Sequence, residues 1–375
     1  MVAQKEENMD YKSLLNAMVK QNASDLHLRV GCPPFFRIHG ALLPAKTPDI
    51  TIDEMRSTLS EILSPDQLNM LAAKQEVDAG ISISGVGRFR INVYSQRNTP
   101  AIAFRSIKFD IPSFDTLNVP EAIREIAMKP RGLILVTGTT GSGKSTLLAS
   151  MIDIINSNKK VNIISIEDPI EFLHKNKLAT VAQREVGADT TSYTEALKAA
   201  MRQDPDVILM GEIRDKETMM GALTAADTGH LVLSTLHTMN AVETLSRAIS
   251  FFSYHQHDQI RLMLSSVLTA VVSMRLIPKI GGGLTPACEI MVNNTNIEEC
   301  LKDADKLKMI PEAIAAGNQI YGSQTFDQSL EMLYKNGLVD FQVAKSYASN
   351  PDDFELKVIG GISGASDRSS NVFDE

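Results

Sequence analysis

Cysteine is scarce in this chain: Cys32, Cys288 and Cys300 are the only three in 375 residues. They form no CxxC pair, which excludes a disulfide framework, argues against a structural zinc site and suits a reducing cytoplasm. Long apolar runs are missing too. The longest uncharged, apolar-leaning stretch, Leu262 to Met274, is bounded by Arg261 and Arg275. It falls short of the roughly 20 residues that cross a bilayer, so it reads as a buried helix. The opening "MVAQKEENMDYK" has no apolar segment of the kind a secretory signal needs. Positive charge is in deficit, with 37 Lys and Arg against 45 Asp and Glu. The net charge of −8 weighs against a protein that coats nucleic acid. Tryptophan is absent, and that absence excludes no function class.

What remains is an ordinary globular composition, 43% hydrophobic and 22% charged, with material for two domains. Residues 1–108 mix a helix at Tyr11–Lys20 with short alternating strands. In "RFRINVY", Phe89, Ile91 and Val93 face one way and Arg88, Arg90, Asn92 and Tyr94 the other. Residues 109–120, "FDIPSFDTLNVP", carry turn residues and two prolines and read as a linker. In residues 121–359 the rhythm changes. Apolar runs at Leu133–Thr137, Val161–Ile166, Val207–Met210 and Leu231–Thr235 alternate with helical stretches at Lys144–Asn156, Tyr193–Arg202 and Glu217–Thr228. Near-continuous apolar strands alternating with helices predict a parallel sheet covered on both faces. Further helices are predicted over Gln256–Arg275 and in "TFDQSLEMLYKNGL". The tail, residues 360–375, has almost nothing to bury and is expected to be disordered.

The strongest chemical signal is "LILVTGTTGSGKST". A predicted strand runs into Gly138, Thr139, Thr140, Gly141, Ser142, Gly143, Lys144, Ser145 and Thr146, and a helix follows. The glycines let backbone N–H groups close around phosphate oxygens, and the helix N-terminus favours negative charge. Lys144 is expected to reach the terminal phosphates of ATP and Ser145 to ligate Mg²⁺. The next two strands end in carboxylates. "IISIEDPIEF" places Glu167, Asp168 and Glu171 past one strand, and "DPDVILMGEIRD" places Glu212 past another. Glu212 can hold the Mg²⁺ shell, which leaves one of the other three to polarise an attacking water. In "TGHLVLSTLHT", His230 and His237 bracket a strand and lie some 20 Å apart at about 3.3 Å per residue, too far to share an ion. His237, at the carboxyl end, is placed to sense a phosphate or a neighbouring subunit. His230, at the opposite end, suits a structural hydrogen bond.

Taken in order, "GTTGSGKST", "SIEDPIEF", "QREVGAD", "RQDPDVILMGEIRD" and "TGHLVLSTLHT" resemble the Walker A, Asp box, Walker B and His box of the secretion-superfamily ATPases. The segments "SDLHLRVGCPPFFRIHG", "GVGRFRINVYSQR" and "QTFDQSLEMLYKNGL" narrow the resemblance to the PilT/PilU group of type IV pilus retraction motors. It covers roughly Tyr11 to residue 350. The resemblance implies an α/β chain: an N-terminal PAS-like α+β domain, then a RecA-like P-loop ATPase domain with C-terminal helices. It implies a homohexamer, peripheral to the inner membrane at the cytoplasmic base of a pilus, in contact with an inner-membrane platform protein. It assigns the general base to Glu171, the Walker B carboxylate to Glu212 and the His box to His230 and His237. It sends N-domain arginines to the nucleotide phosphates, a role that fits Arg90 and Arg105, with Arg97 between them. Guanidinium suits that role because it stays charged and binds phosphate in bidentate fashion.

Two departures refine the expectation. The tetracysteine module of the extension and secretion relatives is absent, which favours retraction. The stretch "NNTNIEECLKDADK" stands where the PilT type carries its "AIRNL"-like motif, which leaves an accessory motor working with a paralogous retraction ATPase as the alternative. A ring that moves nucleic acid is disfavoured by the acidic total and by the lack of aromatic residues clustered with basic ones. A nucleotide-gated scaffold is disfavoured because Lys144, Glu171 and Glu212 are all present.

Overall fold

The computed structural model describes residues 10–38, 40–107 and 111–366, with side chains as far as Val358. The chain divides into two compact units. The first comprises the chain to residue 110 together with Asp168–Leu173 and Glu185–Thr191, and the second comprises the rest.

The first unit is a sheet of six antiparallel strands: β1 (Asp25–Arg29), β2 (Phe35–Ile38), β3 (Ala41–Pro44), β4 (Val77–Ile83), β5 (Gly87–Gln96) and β6 (Thr99–Ile107). Their order is β3-β2-β1-β6-β5-β4. Helices α1 (Tyr11–Lys20), α2 (Ile52–Ile62) and α3 (Pro65–Ala72) belong to the same unit. Leu15, Met18, Met55, Leu59, Phe89, Ile91 and Phe104 share one core there. The alternation expected in β5 holds, with Phe89, Ile91 and Val93 fully buried. The turn from β5 to β6 is the two-residue loop Arg97-Asn98, with φ of 47° and 61°. Positive φ at both central residues is the geometry that suits the right-handed twist of a hairpin.

The second unit holds seven strands: β7 (Gly132–Thr137), β8 (Asn162–Glu167), β9 (Thr180–Glu185), β10 (Val207–Met210), β11 (Leu231–Leu236), β12 (Leu268–Pro278) and β13 (Leu284–Val292). The order is β13-β12-β7-β11-β10-β8-β9. Strands β12, β7, β11, β10 and β8 pair in parallel, and β13 closes one side in antiparallel pairing with β12. Every residue of β7, β10 and β11 is buried, as the unbroken apolar runs predict. Between the strands run α4 (Ala122–Ala127), α5 (Lys144–Asn158), α6 (Tyr193–Ala200), α7 (Lys216–Asp227), α8 (Ala241–Ser250) and α9 (His257–Val267). The chain continues through α10 (Thr295–Lys302), α11 (Ile310–Ala316), α12 (Asn318–Tyr321), α13 (Phe326–Lys335), α14 (Phe341–Tyr347) and α15 (Pro351–Ser366).

Three expectations need correction. The run Leu262–Met274 is not one helix: α9 ends at Val267, and Leu268 onward is β12, beside β7 in the sheet. A continuously apolar segment has no periodicity to separate helix from buried strand, and the adjacent Val271 and Val272 favour the strand. The linker is only partly a linker. Ile111 onward belongs to the second unit, Phe114 is buried in its core, and Ser150 Oγ of α5 donates to Pro112 O at 2.7 Å. The tail expected to be disordered from residue 360 continues as helix through Ser366, anchored upstream by Phe354 and Val358 in a buried cluster with Phe326 and Leu330. Residues 367–375 lie outside the described residues.

Candidate active site

β7 delivers the chain to the phosphate loop, and its length is fixed by ladders to β11 on one side and β12 on the other. Gly138 has φ of 142°, and a Cβ there would lie 2.5 Å from both Met274 O and Ser142 Oγ, so only glycine fits. Gly141 and Gly143 follow with φ of 80° and 94°, Gly143 as the N-cap of α5. The rim, Thr139, Thr140 and Gly141, is exposed, whereas Ser142 and Lys144 beneath it are buried. Ser145 and Thr146, half-buried, form the first turn of α5.

The loop holds groups of the kind that bind phosphate. Lys144 Nζ is folded inward and donates to Gly138 O at 2.8 Å and Thr139 O at 3.0 Å. Ser142 Oγ is buried with no hydrogen-bond partner among the described residues. A buried hydroxyl without a partner carries a desolvation cost of about 1–3 kcal/mol. An anion seated in the loop would relieve that cost. The Ser145 hydroxyl and the Glu212 carboxylate are hard oxygen donors, the type that suits Mg²⁺.

Glu212 follows β10 in a turn pinned on three sides. Gly211 N–H donates to Ile166 O at 2.8 Å, Ile213 N–H donates to Thr235 O at 3.0 Å, and Thr235 Oγ1 donates to Gly211 O at 2.7 Å. His237, directly after β11, brings Nε2 within 3.4 Å of Glu212 Oε1. Arg214 Nε donates to the other oxygen, Oε2, at 2.9 Å. The structure therefore unites Glu212 and His237 at the carboxyl edge of neighbouring strands. His230 stands at the other end of β11, where its Nδ1 lies 2.9 Å from Ala225 O and 3.1 Å from Thr228 Oγ1, closing the end of α7. Among the described residues no group of three or more His, Cys, Asp or Glu is placed to hold a metal by itself.

A chain of buried hydroxyls lies beneath this edge. Thr137 Oγ1, just before the phosphate loop, donates to Ser273 Oγ of β12 at 2.9 Å. Thr244 Oγ1 is 3.5 Å from Thr137 and 2.7 Å from Thr238, the residue after His237. Glu289 of β13 accepts the Ala241 N–H at 2.7 Å, fixing the start of α8. Burial pushes the Glu289 carboxyl up, and that hydrogen bond and Arg275 pull it back.

The three carboxylates after β8 part company. Glu167 Oε1 accepts from Ser165 Oγ at 2.8 Å and Gln183 Nε2 at 3.1 Å. Asp168, which precedes a cis-proline, and Glu171 fall in the Asp168–Leu173 segment of the first unit. Glu171 is exposed. That segment is held by Glu185, whose Oε2 accepts the Ile170 N–H at 3.1 Å and Arg88 Nη2 at 2.8 Å. The Arg88–Glu185 pair is buried, its side chains 16% and 4% exposed, so Arg88 is structural. Gly80 is needed beside it, because a Cβ there would lie 2.5 Å from Glu185 Oε1.

Arg37, Arg90 and Arg105 of the first unit lie on the sheet face away from the core. Register places Arg37, Asp25, Arg105, Arg90 and Gly80 in one row across β2, β1, β6, β5 and β4. Arg90 and Arg105 are directly opposite each other. Like charges in that position are destabilising by roughly 0.2–1 kcal/mol. The carboxylates nearby offset this: Arg105 Nε donates to Asp25 Oδ1 at 2.9 Å, Arg37 Nε lies 3.7 Å from Oδ2, and Arg90 lies 3.7 Å from Asp78. Arg97 is not with them. It occupies the hairpin tip, seven positions along β5 from Arg90, which is over 20 Å at about 3.3 Å per residue. Sequence reasoning missed Asp25, Arg37 and Arg214. Arg214 was legible in principle, two residues beyond Glu212, whereas Asp25 meets Arg105 only through strand pairing.

Burial raises the Asp25 carboxyl, but hydrogen bonds from Ser24 and Arg105 and the Arg105 charge outweigh it and leave the group below its ordinary range. A depressed folded-state value means stabilisation that is present above the unfolded value, near pH 4, and lost as pH falls below it. Asp25→Asn is therefore expected to cost about 1 kcal/mol at pH 7, discounted for the exposure of Arg105, with the difference from the parent shrinking as pH falls below about 4. Urea midpoints measured across pH check this; a constant offset down to pH 2 would contradict it.

Comparison with known proteins places these features in a family context. The family model described as "Type II/IV secretion system protein" matches residues 4–334. The chain is similar to the type IV pilus retraction ATPase PilT of Pseudomonas aeruginosa, 41% identical over 92% of this chain and 100% of that protein. It is also similar to the type IV pilus ATPase PilU of the same organism, 37% identical over 97% and 95%. Among solved structures, one described as the pilus retraction motor PilT with bound ADP superposes with a TM-score of 0.84 at 42% identity, over 92% of this chain and 99% of that one.

Proposed function

The chain belongs to the type II/IV secretion system protein family, and from that premise we propose that it is an ATP-hydrolysing motor that powers type IV pilus retraction. The observation that carries the reading is likeness to PilT along nearly the full length of both chains, joined to an intact phosphate loop with an adjoining Glu212–His237 pair.

ATP is the substrate, cleaved by water to ADP and phosphate. Lys144 spreads the charge of the terminal phosphates, and the loop of Gly138–Thr146 orients them. When bound, Mg²⁺ would supply further neutralisation of phosphate charge, held through Ser145 and Glu212. Glu171 orients and polarises the attacking water. His237 senses the state of the phosphates through Glu212. In a ring of six copies, Arg90 and Arg105 of one copy reach phosphates held by another. His230 and Arg97 have no chemical part in this scheme. The assembly sits at the cytoplasmic side of the inner membrane, against a platform protein of the pilus machine. No described helix is long and apolar enough to cross a membrane.

Likeness to PilU and the stretch "NNTNIEECLKDADK" favour a second reading, an accessory motor that works with a paralogous retraction ATPase. Deleting the gene and counting surface pili separates the two. Excess pili with lost twitching motility is the expected result. Normal pili with weakened retraction force would select the accessory role, and lost pili would overturn both.

A further inference from the structure

The two oxygens of Glu212, at the sheet edge, are divided between side chains from different strand ends. Oε2 accepts the Arg214 Nε–H at 2.9 Å, and Oε1 lies 3.4 Å from His237 Nε2. The turn that carries Glu212 and Arg214 cannot rotate freely, because Gly211 and Ile213 are hydrogen-bonded to the strands on either side. Gly211 is also crowded: a Cβ there would meet the Tyr193 hydroxyl at 2.9 Å. A rigid turn thus aims an arginine back at the carboxylate two residues before it. The Glu212 side chain is 21% exposed and Arg214 56%, at the rim of a cavity of about 630 Å³ that Arg247 and Glu243 also line.

We propose that Arg214 is a positioning residue for the metal-holding carboxylate: it fixes Oε2, which leaves Oε1, beside His237, as the oxygen that would hold Mg²⁺. The inference rests on the reading of Glu212 as a Mg²⁺-holding group. The terminal torsion of a glutamate is broad and leaves its oxygens poorly defined. A hydrogen bond from an outer residue removes that freedom, and its loss typically lowers metal affinity or activity 10–100-fold. Arginine fits better than lysine, because Nε–H is an in-plane donor of fixed direction, whereas an ammonium is a point charge on a flexible stem. With Arg214 56% exposed, its pair with Glu212 contributes little to folding.

The test is equilibrium binding of a fluorescent ADP analogue to the full chain, titrated with Mg²⁺, for the parent, Arg214→Ala, Arg214→Lys and Glu212→Gln. In Arg214→Ala the half-saturating Mg²⁺ concentration is expected to rise about 10–100-fold, with binding in the absence of Mg²⁺ unchanged. Arg214→Lys should stay close to the alanine variant, and Arg214→Ala should add nothing to Glu212→Gln. If Glu212→Gln shifts the Mg²⁺ midpoint and Arg214→Ala does not, the positioning role is overturned while the role of Glu212 stands. If Glu212→Gln shifts nothing, the reading of Glu212 itself fails. Loss of Mg²⁺-free binding in Arg214→Ala would mean a general structural role and would also overturn the proposal.

Discussion

Replacing Lys144 with alanine is expected to lower ATP turnover by a factor of about 10²–10³, the usual cost of removing one preorganised charge stabiliser from a transition state. The ammonium is buried and held by the Gly138 and Thr139 carbonyls, so the loop presents it in place before any phosphate arrives. Those two carbonyls lie at the exposed rim or next to it and can turn to water when Lys144 is removed. The stability cost should accordingly be near 1 kcal/mol, a shift of roughly 2–4 °C in melting temperature. A coupled phosphate-release assay beside a thermal melt separates the two effects. Near-parent turnover would remove Lys144 from the chemistry, and collapse of the melt would make the loss of activity structural.

Glu171→Gln should be as severe in turnover, about 10²–10⁴-fold, the range for a group that handles a proton in the transition state. Nucleotide affinity should remain within a few-fold, because glutamine keeps the size and loses only the charge. Glu171 is exposed, so stability should move by no more than about 0.5 kcal/mol. Glu167 is the sharpest rival, since it ends β8 directly, but its Oε1 already accepts two hydrogen bonds, from Ser165 and Gln183. Comparing kcat for Glu171→Gln and Glu167→Gln decides between them. Full activity in the first with collapse in the second would move the base to Glu167.

The phosphate loop and the sheet around it were legible because fixed glycine and lysine spacing and uninterrupted apolar strands are local signals. β12 was not, since an apolar run with Val271 and Val272 inside it has no period to read. The Glu212–His237 pairing could be anticipated from strand ends, because both residues follow parallel neighbours. The row Arg37–Asp25–Arg105–Arg90 could not. It depends on antiparallel register between segments some 80 residues apart, and a one-residue slip of any strand would turn its member to the opposite face. Arg97 shows the converse: it is close to Arg90 in sequence, yet a hairpin tip carries it away. The division of the three strand-end carboxylates depends on the Glu185–Arg88 pair, another long-range contact with no sequence signature.

The strand that carries the phosphate loop has no free edge. β7 is bonded on both sides and buried along its whole length, and its last hydroxyl is tied to β12. Opening such a strand requires breaking two ladders together, so its amides belong with the part of the protein that unfolds only globally. The cradle at its end is therefore preorganised, and the entropy of ordering a loop is largely absent from the cost of taking up nucleotide. Whatever compliance a motor needs must lie in segments other than this one.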